Sequence, residues 1–451
     1  MTLSRLSPED RVLLRSDRDP RSRVTVGGLA LLSGRPDWAL LRERMDRATR
    51  TIPALRARVV EPSLSTTEPR WVVDPDFVID RHIRHVALPT PGGRDQLVEL
   101  AERFVAEPFD TSGPLWRMLC VDGVDKGAAV LVALSPIVRD ADLPLDLLAI
   151  AVDTAADGPD LPPIPVPTDL EPADLAKEGV RELPWRAVEL AISGVHEVGS
   201  LALHAATDLQ GAMDRVAGLV TPPAAVQGSA LMAGRGTERA LVLRSFPASR
   251  VDGAERHRGG QRLHIAAIRE ALLAYHAELG LPLTSLGITA ASHPAYLRRA
   301  LAPAQDPVDA LGRLLPLLPS GVVDALAKPS RGSDVAVSHL DVVPGSVGAA
   351  KVTEWYAVGP VPGNAVTSVA VSTGSALHVA IRFDPESIRD RAVFERCLDA
   401  AFEDLLGPAS ASQKPAAARK SAAKKAAAKK APAKKATAKS TSPSTRKRAG
   451  S

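Results

Sequence analysis

The sequence predicts a mixed α/β (α+β) protein built as two similar halves, with a basic tail appended. Three observations carry that expectation. Short apolar runs of strand character recur between amphipathic stretches of helical period, in both residues 1–157 and residues 226–408. A Pro-rich stretch without periodicity, at about 158–168, opens a connecting region that extends to 225 and includes long helical patterning. Residues 409–451 are a Lys/Ala/Pro-rich tail of low complexity.

The elements follow from local signals. Ser7 stands at a helix cap, with Pro8 at the first helical position and acids next. Residues 24–33 are an apolar run that predicts a buried strand. Asp37 caps a helix along which Leu40, Leu41, Met45 and Ala48 recur at helical spacing. Trp71-Val-Val and Ile83-Arg-His-Val-Ala-Leu predict short strands, and Pro91-Gly-Gly precedes a helix with Leu97, Leu100, Ala101, Phe104 and Val105 on one face. After the turn at Pro108-Phe-Asp come a strand at 114–121 and the continuous apolar run Val130-Leu-Val-Ala-Leu, a buried strand broken by Pro136. A polar turn and a Leu-rich helical segment follow it. The connecting region carries Val188, Ile192, Val195, Val198, Leu201 and Leu203 at helical spacing. The second half predicts strands at 239–246, 286–291 and 335–341, and helices at 263–279 and 388–406. Between these, Val366–Ser372 and Ala376–Phe383 alternate as a hairpin around Thr373-Gly374.

Apolar residues make up 45% of the chain and aromatics only 3%, so aliphatic side chains must do the packing. The net charge of +4 hides two segments of opposite sign: from Lys414 to the end there are 13 basic residues and no acid, leaving 43 basic against 52 acidic groups elsewhere, a net of −9. Cys120 and Cys397 lack Cys or His neighbours at metal-ligand spacing, which predicts no metal site and a reduced, cytoplasmic setting, and Cys120, on an apolar strand with nothing electropositive close in sequence, reads as an inert buried thiol. Without a signal-like start or an apolar run of ~18 residues, the expectation is a protein in solution or peripheral at a membrane or lipid-body surface.

Several blocks together resemble the bacterial wax ester synthase/acyl-CoA:diacylglycerol acyltransferase family. They are Leu6-Ser-Pro-Glu-Asp, Val26-Gly-Gly-Leu-Ala, Trp71-Val-Val-Asp-Pro-Asp-Phe, His82-Ile-Arg, Leu88-Pro-Thr-Pro-Gly-Gly and Pro108-Phe-Asp-Thr-Ser-Gly-Pro-Leu-Trp. Order and spacing agree over roughly residues 3–153, and more loosely at Val342-Val-Pro-Gly and Leu377-His-Val-Ala. The resemblance implies two chloramphenicol-acetyltransferase-like halves joined by a helical crossover, with acyl-CoA and an acceptor alcohol meeting between them. The family's His-His-x-x-x-Asp-Gly signature falls on Ser135, Pro136, Ile137, Val138, Arg139, Asp140 and Ala141. Its second His is the general base, a role that suits imidazole because its pKa lies near the working pH. Pro136 stands there instead. A second family motif, Asn-Asp, falls on Leu263-His264. Both motifs have decayed while the framework blocks remain, which implies a retained fold with lost or altered chemistry. The resemblance also implies that the 134–142 turn and the 263–268 helix start share one interface.

No catalytic residue is assigned; His264 is the alternative base, and Ser135 a nucleophile only if a base reaches it. His204 and Asp208 preserve the signature's interval but read as an i, i+4 pair within a helix. His82 and His85, three apart on a polar edge, lack a partner in register for a metal. The tail cations Lys414, Arg419, Lys420, Lys424, Lys425, Lys429, Lys430, Lys434, Lys435, Lys439, Arg446, Lys447 and Arg448 carry no apolar stripe and no interleaved aromatic. They predict a disordered segment resembling the tails of linker histones, for nonspecific contact with DNA, RNA or an anionic membrane. The expected function is a catalytically impaired acyltransferase-like protein of triacylglycerol metabolism, without a cofactor, that binds acyl-CoA or neutral lipid or scaffolds a partner. The alternative is an active O-acyltransferase with a non-standard base.

Overall fold

The computed structural model describes residues 5–63, 67–125, 127–138, 161–192, 231, 236–251, 260–283, 285–291, 333–343, 345–360 and 363–406. The tail, Asp140, Ala141 and His204 lie outside the described residues.

The predicted caps form as their chemistry requires. Helix α1 (Pro8–Ser16) starts where Ser7 Oγ accepts the Asp10 N–H at 3.1 Å. Helix α2 (Trp38–Thr51) starts where Asp37 accepts from Ala39 and Leu40 at 3.0 and 3.1 Å. Strand β1 (Val26–Leu32) is buried along its whole length. Small strands β2 (Ala57–Val60) and β3 (Arg70–Val73) pair with each other, the single turn α3 (Ile79–His82) leads into β4 (Ile83–Ala87), and α4 spans Arg94–Ala106. Strands β5 (Trp116–Val124) and β6 (Gly127–Leu134) form a hairpin, followed by α5 (Pro172–Ile192). The rest is β7 (Ala240–Pro247), α6 (Gly260–Glu278), β8 (Ile288–Ala291), β9 (Val335–Asp341), β10 (Ser346–Val347), β11 (Ala350–Val358), β12 (Val366–Ser372), β13 (Ala376–Phe383) and α7 (Arg391–Leu406).

Two sheets organise these elements. The first has the order β10-β11-β1-β6-β5-β4 and the second β7-β13-β12-β9-β8. Strand alternation sorts the first sheet's side chains. Val26, Ala30, Val130, Val132, Met118 and Cys120 enter one core with Leu41 and Met45 of α2. Leu29, Leu31, Leu131, Leu119 and Val121 enter another with Leu97, Phe104 and Val105 of α4. Gly27 makes the approach of α4 possible, since a Cβ there would lie 2.6 Å from Val105 Cγ2. Gly92 is likewise fixed by its turn, with φ +72° and only 2.0 Å between a would-be Cβ and Gly123 O. Helices α6 and α7 cover one face of the second sheet.

The division of the sequence into continuous halves misses one exchange. Strand β11, from the second half, pairs antiparallel with β1 of the first, from Gly27↔Val358 to Leu32↔Val352. The local pattern of residues 350–358 does not reveal this partner, because the pairing is made across more than 300 residues of sequence.

Candidate active site

Strand β6 delivers Ser135 and Pro136 at its end. Ser135 N–H donates to Leu115 O at 2.9 Å, and Val138 N–H to Ser135 O at 3.1 Å, closing a turn. Ser135, Pro136, Ile137 and Val138 are all buried. Ile137 and Val138 join the core that holds Trp116, Leu134, Val369 and Val371. Where the family resemblance implies a base, this chain therefore presents hydrocarbon.

His264 lies elsewhere. Its Nε2 meets Ser368 Oγ at 2.7 Å, and His264 and Ser368 are both 0% exposed, so the pair is closed off from solvent. The implied interface between the two decayed motifs is not formed by the described residues, and the period of strand β12 explains why. Its Val369 and Val371 face the core of Ile137, whereas Val366 and Ala370 face the core of Leu263 and Ile268. Among the described residues, the second sheet stands between Ile137 and Val138 on one side and Leu263 and Ile268 on the other.

Burial, together with the neighbouring His339, lowers the His264 pKa to about 3. His82 and His378 are lowered too, again chiefly by burial. The unfolded chain therefore takes up these protons first as pH falls below the ordinary value of 6.5. The contribution of neutral histidine to stability is complete above that pH and is lost on acidification. Urea unfolding at pH 7.5 and 5.5 should show lower stability at the acid value, by at most ~1.4 kcal/mol per pH unit for His264. A His264→Gln variant should show a shallower dependence.

Three of the resembling blocks meet at one cleft of about 570 Å³, lined by Asp74 and Asp76, by His82, and by 108–110, 112–114, 116 and 117. The His82 ring stacks between Phe77 and Trp116, with centroids 5.2 and 5.0 Å away, and its Nδ1 lies 2.9 Å from Trp116 O. Trp116 is 1% exposed and donates its indole N–H to Leu55 O at 2.7 Å. Arg117, whose pKa burial lowers to about 10, ties down Pro108 O at 3.1 Å and Phe104 O at 2.6 Å. These contacts make the Pro-Leu-Trp block a structural clamp. A Trp116→Ala variant should lose ~3–5 kcal/mol of stability, read by denaturant unfolding.

His85 has a partner that spacing alone does not show: Asp122 Oδ2 lies 3.0 Å from its Nε2, because β4 pairs in parallel with β5. Cys120 is buried and its thiol pKa is pushed up to about 12 by burial, with Asp122 adding to the shift, so it holds its proton. His378 lies in the loosely resembling Leu377-His-Val-Ala block, and its Nδ1 lies 3.0 Å from the hydroxyl of Ser245. Across the seam from it, Arg94 of α4 grips Glu354 of β11 at 3.1 and 2.8 Å, and Tyr356 hydrogen-bonds both.

Among the described residues no helix is long and apolar enough to cross a membrane. Comparison with known proteins agrees with this architecture. The signature described as "Wax ester synthase/diacylglycerol acyltransferase catalytic domain" matches residues 6–261. A Mycobacterium tuberculosis (strain ATCC 25618 / H37Rv) protein named "Putative diacyglycerol O-acyltransferase" is 30% identical over 455 residues, covering 90% of this chain and 93% of its own. The wax ester synthase/diacylglycerol acyltransferase of Marinobacter aquaeolei VT8 matches in structure with TM-score 0.57 at 17% identity, over 89% of this chain and 98% of that one. The first condensation domain of the CDA synthetase matches at TM-score 0.52 and 16% identity, over 90% and 97%, a likeness of fold alone. With the matched framework blocks and a two-sheet fold shared with a solved member, the chain belongs to the wax ester synthase/diacylglycerol acyltransferase family.

Proposed function

We propose that this chain is a catalytically impaired member of its family, acting in triacylglycerol metabolism by binding acyl-CoA or neutral lipid, or by scaffolding a partner. The observation that carries this reading is Pro136, buried with Ile137 and Val138 where the family's general base belongs. A proline side chain accepts no proton, and its neighbours are aliphatic. The packed framework around β1, β5 and α4 supports retention of a lipid-type fold without the chemistry. The protein works in the cytoplasm, peripheral to a membrane or lipid body, with the cations of 414–448 as a polyanion tether.

Titration with a fluorescent long-chain acyl-CoA should give saturable binding, and incubation with diacylglycerol should form triacylglycerol far more slowly than a family member that carries the His pair. Absence of binding, or triacylglycerol formation at the rate of such a member, would overturn the reading. The second reading, acyl transfer through a non-standard base, is favoured by one observation, the contact of exposed Ser245 with His378. His264 supports it less, because its hydroxyl partner is fully buried.

A further inference from the structure

A replacement base must be a neutral imidazole whose free nitrogen accepts from a hydroxyl that substrate can reach. The described histidines can be sorted by that requirement. His82 is committed to a backbone carbonyl, His276 to Leu272 O at 2.8 Å, and His85 to the Asp122 carboxylate. His339 Nε2 lies 3.8 Å from the Asp341 carboxylate. His264 and His378 each touch a serine hydroxyl, and only the partner of His378 is exposed.

The local fold places this pair. Ser245 of β7 and His378 of β13 are direct antiparallel partners, so their side chains leave the sheet on the same face. Strand β7 is an edge of the second sheet, which leaves Ser245 open to solvent. His378 is 1% exposed behind it, with its ring 5.4 Å from that of Tyr356 at an interplanar angle of 67°. Its Nε2 is buried and makes no hydrogen bond to the described residues. Glu354, although burial pushes its pKa up, is held ionised by its hydrogen bonds from Arg94 and Tyr356. Burial lowers the His378 pKa most, the Glu354 charge opposes that shift and Arg94 adds to it, so the imidazole is neutral. This is an exposed hydroxyl, a neutral imidazole behind it and a fixed carboxylate that offsets the charge of an imidazolium.

We propose that Ser245 and His378 form a nucleophile–base pair that cleaves activated acyl esters or thioesters with water as the final acceptor. His378 keeps its hydrogen on Nε2 and accepts the Ser245 proton at Nδ1 while Oγ bonds to the acyl carbon. The carbon–sulfur or carbon–oxygen bond then breaks, and the proton on Nδ1 passes to the departing thiolate or alkoxide. The acyl-serine ester is hydrolysed by water, whose proton follows the same route, releasing a carboxylic acid and free Ser245. This reaction is separate from transfer to a lipid alcohol and does not rest on the reading of Pro136 or on acyl-CoA binding.

The test is covalent labelling of the full chain with a fluorophosphonate, with the adduct located by peptide mass spectrometry. Labelling should fall on Ser245, be absent in Ser245→Ala, and slow by ~10²–10⁴-fold in a folded His378→Gln variant. Its rate should rise with pH through a midpoint below that of an ordinary imidazole and then level off, since burial lowers the His378 pKa. No adduct on Ser245, or equal labelling in His378→Gln, would overturn the proposal. Should His378→Gln not fold, the Ser245→Cys variant serves. Beside the imidazole its thiol should alkylate with iodoacetamide well below the pH of an ordinary thiol, near 8.5. An ordinary thiol profile overturns the proposal.

Discussion

Purified chain given long-chain acyl-CoA and diacylglycerol should form triacylglycerol about 10²–10⁴-fold more slowly than a family member that carries the His pair. The acceptor hydroxyl is a poor nucleophile until its proton is taken in the transition state. In this chain the position that should take it is Pro136, at the end of β6 and buried with Ser135, Ile137 and Val138. Ser135 does not fill the role. Its backbone closes the turn, and no described imidazole approaches its hydroxyl, since the His264 ring is engaged by Ser368 behind the second sheet. The comparison is made under saturating substrates, with product measured by thin-layer separation of labelled acyl chains. A rate within tenfold of the intact member would show that a base other than the family's operates. Including the Ser245→Ala variant identifies the source of any remaining thioester loss, because hydrolysis at Ser245 yields free acid rather than ester.

Much of the fold is legible in the sequence where the determinants are local. Ser7 and Asp37 cap their helices because each has a side-chain oxygen one residue ahead of the first turn. The apolar run at 130–134 is a central strand because both of its faces are covered, one by the core of α2 and one by α4. The inert state of Cys120 follows from an apolar strand with nothing electropositive nearby. What depends on distant pairing is not legible. Strand β11 is read only with β1 beside it, and the clash at Gly27 only with Val105 above it. The same limit governs the site. Pro136 is visible in sequence as the missing base, but the placement of Leu263 and Ile137 on opposite faces of β12 depends on tertiary packing. Ser245 and His378 are 133 residues apart, and only the β7–β13 register joins them.

Duplex DNA affinity of the full chain should fall ~10³–10⁵-fold between about 50 and 200 mM salt, provided roughly 6–10 tail cations contact phosphates. The body carries a net of −9 and repels polyanions, so the attraction must come from the 13 cations after residue 413. Each contact releases condensed counterions, and that release weakens as bulk salt rises. Ten of the thirteen are Lys, which supplies charge without the planar fork that reads base edges, so affinity should be indifferent to sequence. On anionic vesicles each seated cation should contribute ~1 kcal/mol, again screened by salt. The measurement compares the full chain with a chain ending at Ser412, on DNA and on vesicles, across a salt series. Equal binding by the two chains would remove the tether from the proposed function. Salt-sensitive binding by the full chain alone would locate it in the tail, and a preference for vesicles over DNA would join that tail to the lipid-binding body.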